Sequence, residues 1–116
     1  MALVTTTEMF KKAFEGKYSI GAFNINNMEI VQGVLRGAAA LNSAVILQCS
    51  KSALKYAGPR CMHDMVAAIA EETGVDVALH LDHGPDLETA SCCLYYFFHV
   101  LYTSIALLFI KILPTH

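Results

Sequence analysis

Three short apolar segments that alternate with helical patterns constrain the fold of this chain more than any other feature. The apolar segments span residues 18–23, 44–49 and 75–81, and the helical patterns span residues 5–16, 27–41 and 61–72. Parallel strands joined by helices have this pattern, because the helices cover the sheet and leave its strands apolar on both faces. We therefore predict an α/β fold of consecutive βα units as far as about residue 84.

The predicted sheet is incomplete as it stands. Three strands cannot close a barrel or finish a doubly wound sheet, since the first and the third strand would each leave an unpaired edge. We therefore expect these units to form the first part of a larger fold.

Composition excludes one class of function and indicates a compartment. The 116 residues carry a formal net charge of -2 and no basic cluster, so the chain lacks the electrostatic footprint of a nucleic-acid-binding protein. Its four cysteines form neither a Cys-x-x-Cys pair nor a disulfide framework, and its first residues lack the pattern of a signal peptide. We predict reduced, mostly buried thiols and a cytoplasmic location.

Polar residues follow all three apolar segments. Asn24 follows the first segment, Ser50 follows the second, and His80, Asp82 and His83 end the third. A turn or a helix cap would explain Asn24 or Ser50 alone, but ligands bind at the carboxyl ends of parallel strands. Polar residues at all three ends together predict a binding site there.

The segment His80-Leu81-Asp82-His83-Gly84 carries the clearest chemistry. Alternate side chains of a strand share a face, so His80 and Asp82 point the same way and His83 leaves at the rim. A neutral imidazole is a good Zn²⁺ ligand, and a carboxylate beside a metal-bound substrate can serve as acid or base. Structural hydrogen bonding would use the same residues, so the motif alone leaves both interpretations open.

Four motifs, taken in order, make the chain similar to a known family. They are residues 21–27 (Gly-Ala-Phe-Asn-Ile-Asn-Asn), 45–50 (Val-Ile-Leu-Gln-Cys-Ser), 56–58 (Tyr-Ala-Gly) and 77–84 (Val-Ala-Leu-His-Leu-Asp-His-Gly). Together they resemble the N-terminal third of class II fructose-bisphosphate and tagatose-bisphosphate aldolases, from Leu3 to about Glu88. The resemblance implies a (β/α)₈ (TIM) barrel, a homo-oligomer, and zinc-dependent cleavage of a ketose bisphosphate to dihydroxyacetone phosphate and an aldehyde such as glyceraldehyde 3-phosphate. The sequence does not separate fructose from tagatose substrates.

The resemblance also implies roles for individual residues. It makes Asp82 the catalytic proton donor, His83 one of three histidine ligands to zinc, and Asn24 and Ser50 contacts to the sugar phosphate. A divalent cation would stabilise the enediolate that carbon–carbon cleavage leaves behind. We expect His80 to orient its neighbours through a hydrogen bond rather than to bind the metal.

The resemblance ends at about Thr89, which divides the chain into residues 1–90 and a divergent, helix-like hydrophobic tail of residues 91–116. Residues 91–110 carry no formal charge and would be long enough, as a helix, to span a membrane. One hypothesis is membrane insertion through residues 91–112, which would tether a non-catalytic fragment that associates with aldolase subunits. The other is a truncated or mis-spliced coding sequence whose last residues have no selected function.

The number of candidate zinc ligands bears on activity. Catalytic zinc needs three protein ligands and an open position, and only His83 stands at a ligand position of the family. We therefore expect the isolated chain to bind zinc weakly and to cleave no substrate.

Overall fold

The chain folds as an α/β unit in which helices follow the strands of a small parallel sheet. The computed structural model describes residues 3–83 and 87–96. Its elements, in chain order, are α1 (Thr6–Gly16), β1 (Ala22–Asn24), α2 (Met28–Ala40), β2 (Val45–Ser50), α3 (Lys51–Ala57), α4 (Pro59–Thr73), β3 (Val77–Asp82) and α5 (Leu87–Tyr96). The predicted α/β class with three parallel strands is therefore confirmed, whereas the predicted hydrophobic tail is not.

The three strands are parallel and lie in the order β1-β2-β3. In the register, Gln48 of β2 stands between Asn24 of β1 and His80 of β3, and Ser50 stands beside Asp82. All three strands therefore finish at the same edge of the sheet, and their last residues lie side by side.

One face of the sheet carries the hydrophobic core. Alternate residues of β2 and β3 are buried there, among them Leu47 and Leu81, and they cluster with Leu35 of α2 and with Met62 and Val66 of α4. Because side chains alternate along a strand, the residues between them face the other way. That second face is apolar near the start of the strands and polar near their carboxyl ends.

The opposite face differs from the sequence prediction, which expected helices over both faces. Only α1 contributes to it among the described elements, where Met9 clusters with Ala78 at the beginning of the sheet. Beyond Ala78 the same face carries Gln48 and His80, which are half-buried. Within the described residues, the face that holds the polar residues is therefore left uncovered near the carboxyl ends of the strands.

The first strand was also predicted wrongly. Residues 18–23 were expected to form a buried strand, whereas β1 is Ala22–Asn24 and all three of its residues are exposed. The reason is that β1 lies at an edge of the sheet and pairs with β2 alone. An apolar run indicates a strand but does not tell whether both of its edges are paired.

The segment after β2 is helical, although the sequence shows no helical pattern between residues 41 and 61. Ser50 caps α3, because its Oγ accepts a hydrogen bond from the backbone N–H of Ala53 at 3.2 Å. The next helix begins at Pro59 and not at residue 61, since proline lacks the N–H that would go unpaired in a first turn. A seven-residue helix is too short to show a helical period in the sequence.

The hydrophobic tail lies mostly outside the described residues. The structure shows α5 through Tyr96, and the boundary predicted at residue 90 falls within this helix and stays a prediction. Residues 97–116, which carry most of the apolar tail, are not among the described residues. Within residues 3–83 and 87–96, no helix combines the length and the apolar character needed to cross a bilayer.

Candidate active site

The carboxyl edge of the sheet brings two of the predicted site residues into direct contact. Nδ2 of Asn24, at the end of β1, donates a hydrogen bond to Oδ2 of Asp82, at the end of β3, with a distance of 3.0 Å. The two residues are 58 positions apart in the chain and belong to strands separated by β2. The fold thus brings into contact two side chains that the sequence analysis had placed at the same edge because each follows a parallel strand.

A third residue, Gln48, extends this contact and was missed by sequence reasoning. Its Nε2 donates to Oδ1 of Asn24 at 3.2 Å, and its Oε1 lies 3.2 Å from Nδ1 of His80. His80 therefore has a hydrogen-bond partner in Gln48, a residue that was not foreseen, and its orienting role stays a prediction. The signal for Gln48 was present, since it is the one amide in an otherwise apolar run of β2, but its partners depend on the register.

His83 lies at the rim of the site in a strained backbone conformation. Its φ angle is 54°, in the left-handed region that costs a non-glycine residue energy, and such residues concentrate at functional sites. Its side chain is 94% exposed, and its Nε2 is 3.6 Å from Oδ1 of Asp82. This conformation turns the imidazole out of the strand and leaves it beside the carboxylate.

Ser50 lies at the same edge, but its hydroxyl oxygen has a structural partner. It is next to Asp82 in the register, and its Oγ accepts the hydrogen bond that caps α3. A hydroxyl can accept one bond and donate another, so the cap leaves the Oγ proton available to a ligand. The structure therefore bears out the helix cap, and the phosphate contact stays a prediction.

The described residues do not form a complete zinc site. Among residues 3–83 and 87–96, no group of three or more His, Cys, Asp or Glu side chains is arranged to hold a metal ion. His80 faces Gln48, and His63 on α4 is 3.0 Å from Oδ1 of Asp64. The imidazole of His83 is exposed at the edge of the candidate site, and because a catalytic zinc needs three protein ligands, its role as one of them stays a prediction.

A buried thiol lies beneath the candidate site, and its burial disfavours the reactive thiolate form. Cys49 follows Gln48 in β2 and points into the core, where it is fully buried. Burial, together with the nearby thiol of Cys93, raises the pKa of Cys49 to about 12 from an ordinary value of 9.0. Since the thiolate is the nucleophile, Cys49 is a core residue and not a candidate for covalent chemistry.

The sequence and the fold both match known aldolases. A family model described as "Fructose-bisphosphate aldolase class-II" matches residues 4–107. The chain is 48% identical over 87 residues to a fructose-bisphosphate aldolase of Thermus caldophilus, and 42% identical over 90 residues to one of Giardia intestinalis. These alignments cover 75% and 77% of this chain and 28% of each relative.

The solved structures support the fold. The YdjI aldolase from Escherichia coli K12 superimposes with a TM-score of 0.73 at 24% identity, over 81% of this chain and 37% of that one. The chain thus spans well under half the length of the proteins that it matches. On the extent of the family match, the chain belongs to the class II fructose-bisphosphate aldolase family.

Proposed function

We propose that this chain carries the N-terminal part of a class II aldolase active site that acts on fructose 1,6-bisphosphate. The observation that supports the proposal is the hydrogen bond between Asn24 and Asp82 at the carboxyl edge of the sheet, with the exposed imidazole of His83 beside the carboxylate. Parallel α/β folds bind ligands at this edge. A tagatose bisphosphate is the alternative substrate of the same reaction class.

Asp82 is the proposed proton-transfer group. Cleavage of the carbon–carbon bond requires removal of the proton from the C4 hydroxyl, which becomes the aldehyde oxygen, and the reverse reaction returns that proton. Asn24 holds Oδ2 of Asp82 at 3.0 Å and so fixes the direction of the carboxylate. A fixed carboxylate within reach of the hydroxyl suits general acid–base catalysis.

The remaining roles concern binding. Asn24 at the end of β1 and Ser50 at the end of β2 are proposed to contact the sugar phosphate, with Ser50 facing a phosphate group. His83 is proposed as one zinc ligand, and bound zinc would supply Lewis-acid stabilisation of the enediolate. Because the described residues provide only this one ligand position, the isolated chain is proposed to bind zinc weakly and to have no activity of its own.

Activity of the isolated chain is directly measurable. The purified 116-residue chain should form no dihydroxyacetone phosphate from fructose 1,6-bisphosphate above background, with or without added Zn²⁺. Turnover that depends on added zinc and disappears in Asp82→Ala would contradict this expectation.

The site itself is best tested in a full-length relative. The matching 87 residues of the Thermus caldophilus aldolase, which are 48% identical, would be replaced by those of this chain. The chimera is expected to cleave fructose 1,6-bisphosphate, and Asp82→Asn is expected to lower kcat about 10²–10⁴-fold, the usual contribution of a positioned acid or base.

A matched substitution separates the site from the strand that carries it. Asp76 is exposed just before β3 begins, so Asp76→Asn makes the same chemical change at the opposite end of the strand. It should leave kcat within about twofold, in line with the small effects of surface substitutions. Equal losses in the two variants, or full activity of Asp82→Asn, would remove Asp82 from the mechanism.

A further inference from the structure

Four polar side chains form a continuous series of hydrogen bonds across the sheet. Asp82 contacts Asn24 at 3.0 Å, Asn24 contacts Gln48 at 3.2 Å, and Gln48 contacts His80 at 3.2 Å. The series starts on β3, crosses to β1, and returns through β2 to β3. Gln48 links the Asn24–Asp82 pair to His80, because it contacts both Asn24 and His80.

The direction of every bond in this series is set by the two amide groups. Nδ2 of Asn24 donates to Oδ2 of Asp82, so the NH₂ group of Asn24 faces the carboxyl group. The carbonyl oxygen of Asn24 then faces Gln48, which must donate with its own NH₂ group. This leaves the carbonyl oxygen of Gln48 facing Nδ1 of His80, and a carbonyl oxygen accepts but cannot donate.

We propose that Gln48 is a positioning residue that holds the neutral ring of His80 in the tautomer protonated at Nδ1. In water the neutral imidazole of histidine favours the other tautomer, protonated at Nε2, so the site would reverse the intrinsic preference. Gln48 and His80 are both half-buried, which shields their bond from competing water.

The same amide also acts in the other direction along the series. By donating to Oδ1 of Asn24, Gln48 keeps the NH₂ group of Asn24 turned towards Asp82. The role of this arrangement in catalysis rests on the proposed function, in which the direction of the Asp82 carboxylate matters for proton transfer. The tautomer of His80 is a property of the chain alone and is measured without substrate or metal.

Nitrogen-15 NMR of the imidazole rings tests the proposal. The complete chain, labelled with ¹⁵N-histidine and kept free of metal at neutral pH, gives ring signals that distinguish a protonated nitrogen from an unprotonated one. His80→Gln assigns the His80 signals by their loss. We expect Nδ1 of His80 to be protonated and Nε2 to be unprotonated, and a ring protonated only at Nε2 would overturn the proposal.

Two substitutions of Gln48 separate a positioning role from a merely structural one. Gln48→Leu removes the acceptor, so the His80 ring should change to the Nε2-protonated form. Gln48→Glu keeps an acceptor next to the ring, so Nδ1 should stay protonated. Gln32→Leu makes the same change on α2, away from the series, and should leave the tautomer of His80 unchanged. The ring signals of His63 should stay the same in every variant.

The outcomes are decisive even if one variant fails to fold. Should Gln48→Leu give no folded protein by its amide spectrum, Gln48→Ala replaces it, since it removes the same acceptor without adding bulk. An unchanged tautomer in the folded Gln48→Leu, or in Gln48→Ala when it is the replacement, overturns the proposal. An inactive chimera with a Nδ1-protonated His80 would instead reject the proposed function and leave this inference standing.

Discussion

Replacing His83 by glycine is expected to stabilise the fold while it removes the proposed metal ligand. The φ angle of His83 is 54°, and this left-handed conformation costs a non-glycine residue about 1–2 kcal/mol. Glycine offsets part of that gain, about 0.4–1 kcal/mol, through the greater entropy of the unfolded chain. The imidazole contributes little to stability, since it is 94% exposed and 3.6 Å from Asp82 Oδ1. The net expectation is a gain of about 0.5–1 kcal/mol.

Urea unfolding followed by far-ultraviolet circular dichroism measures this change, because the chain has no tryptophan for fluorescence. Lys17→Gly is the matched variant. Lys17 is exposed and has a φ of 55° after α1, so it carries the same backbone strain without a proposed role. Both variants should shift the unfolding midpoint to higher urea with an unchanged slope.

A clear difference between the two variants would refute the reasoning. If Lys17→Gly stabilises the chain and His83→Gly destabilises it by more than about 1 kcal/mol, the imidazole must make a contact worth more than an exposed pair contributes. His83 would then be a structural residue. Equal gains would instead show that the chain retains a strained histidine at a cost in stability, as functional sites do.

Three further predictions concern the core, the helix cap and the buried thiols. Leu47→Ala should lower the free energy of unfolding by about 2–5 kcal/mol, because Leu47 is fully buried in the central strand, whereas Leu41→Ala at a largely exposed position should change it little; equal urea midpoints would contradict this. If the hydroxyl of Ser50 caps α3, Ser50→Ala should lower the free energy of unfolding by about 1 kcal/mol and Ser50→Gly by only a few tenths. A larger loss in Ser50→Gly than in Ser50→Ala, measured by urea unfolding, would exclude the cap. Because burial raises the pKa of Cys49 to about 12, iodoacetamide should modify exposed Cys61 first by mass spectrometry, and rapid labelling of Cys49 would refute its burial. The same shift should lower stability as the pH rises from 9.0 towards 12, since the unfolded thiol loses its proton before the folded one.

The elements of the fold could be predicted because their signals are local. The helix α2, predicted over residues 27–41, begins after Asn27, whose side chain caps it by accepting a hydrogen bond from the backbone N–H of Ile30. The strands β2 and β3 follow from continuous apolar runs. What failed was the burial of β1, because exposure at an edge depends on which strands are neighbours and not on the residues of the strand itself.

The edge of the sheet at which the candidate site residues lie could be predicted, but their hydrogen bonds could not. Asn24, Ser50 and Asp82 could be placed at one edge because each follows a parallel strand. Gln48 was missed because its role depends on the register, which sets it between Asn24 and His80. A shift of one residue would turn Gln48 towards the core, and nothing in the strand sequences alone fixes that choice.

The contact between Asn24 and Asp82 also requires side chains that reach across the central strand. The strands β1 and β3 are separated by β2, so in a flat sheet they would lie about 9–10 Å apart, twice the spacing between neighbours. The two residues are also offset along the strands, because Asn24 is level with Gln48 and His80, two residues before Asp82. Side chains standing perpendicular to such a sheet would not meet, yet Nδ2 of Asn24 lies 3.0 Å from Oδ2 of Asp82. The two side chains therefore lean towards each other over β2, on the face of the sheet opposite the helix-covered core.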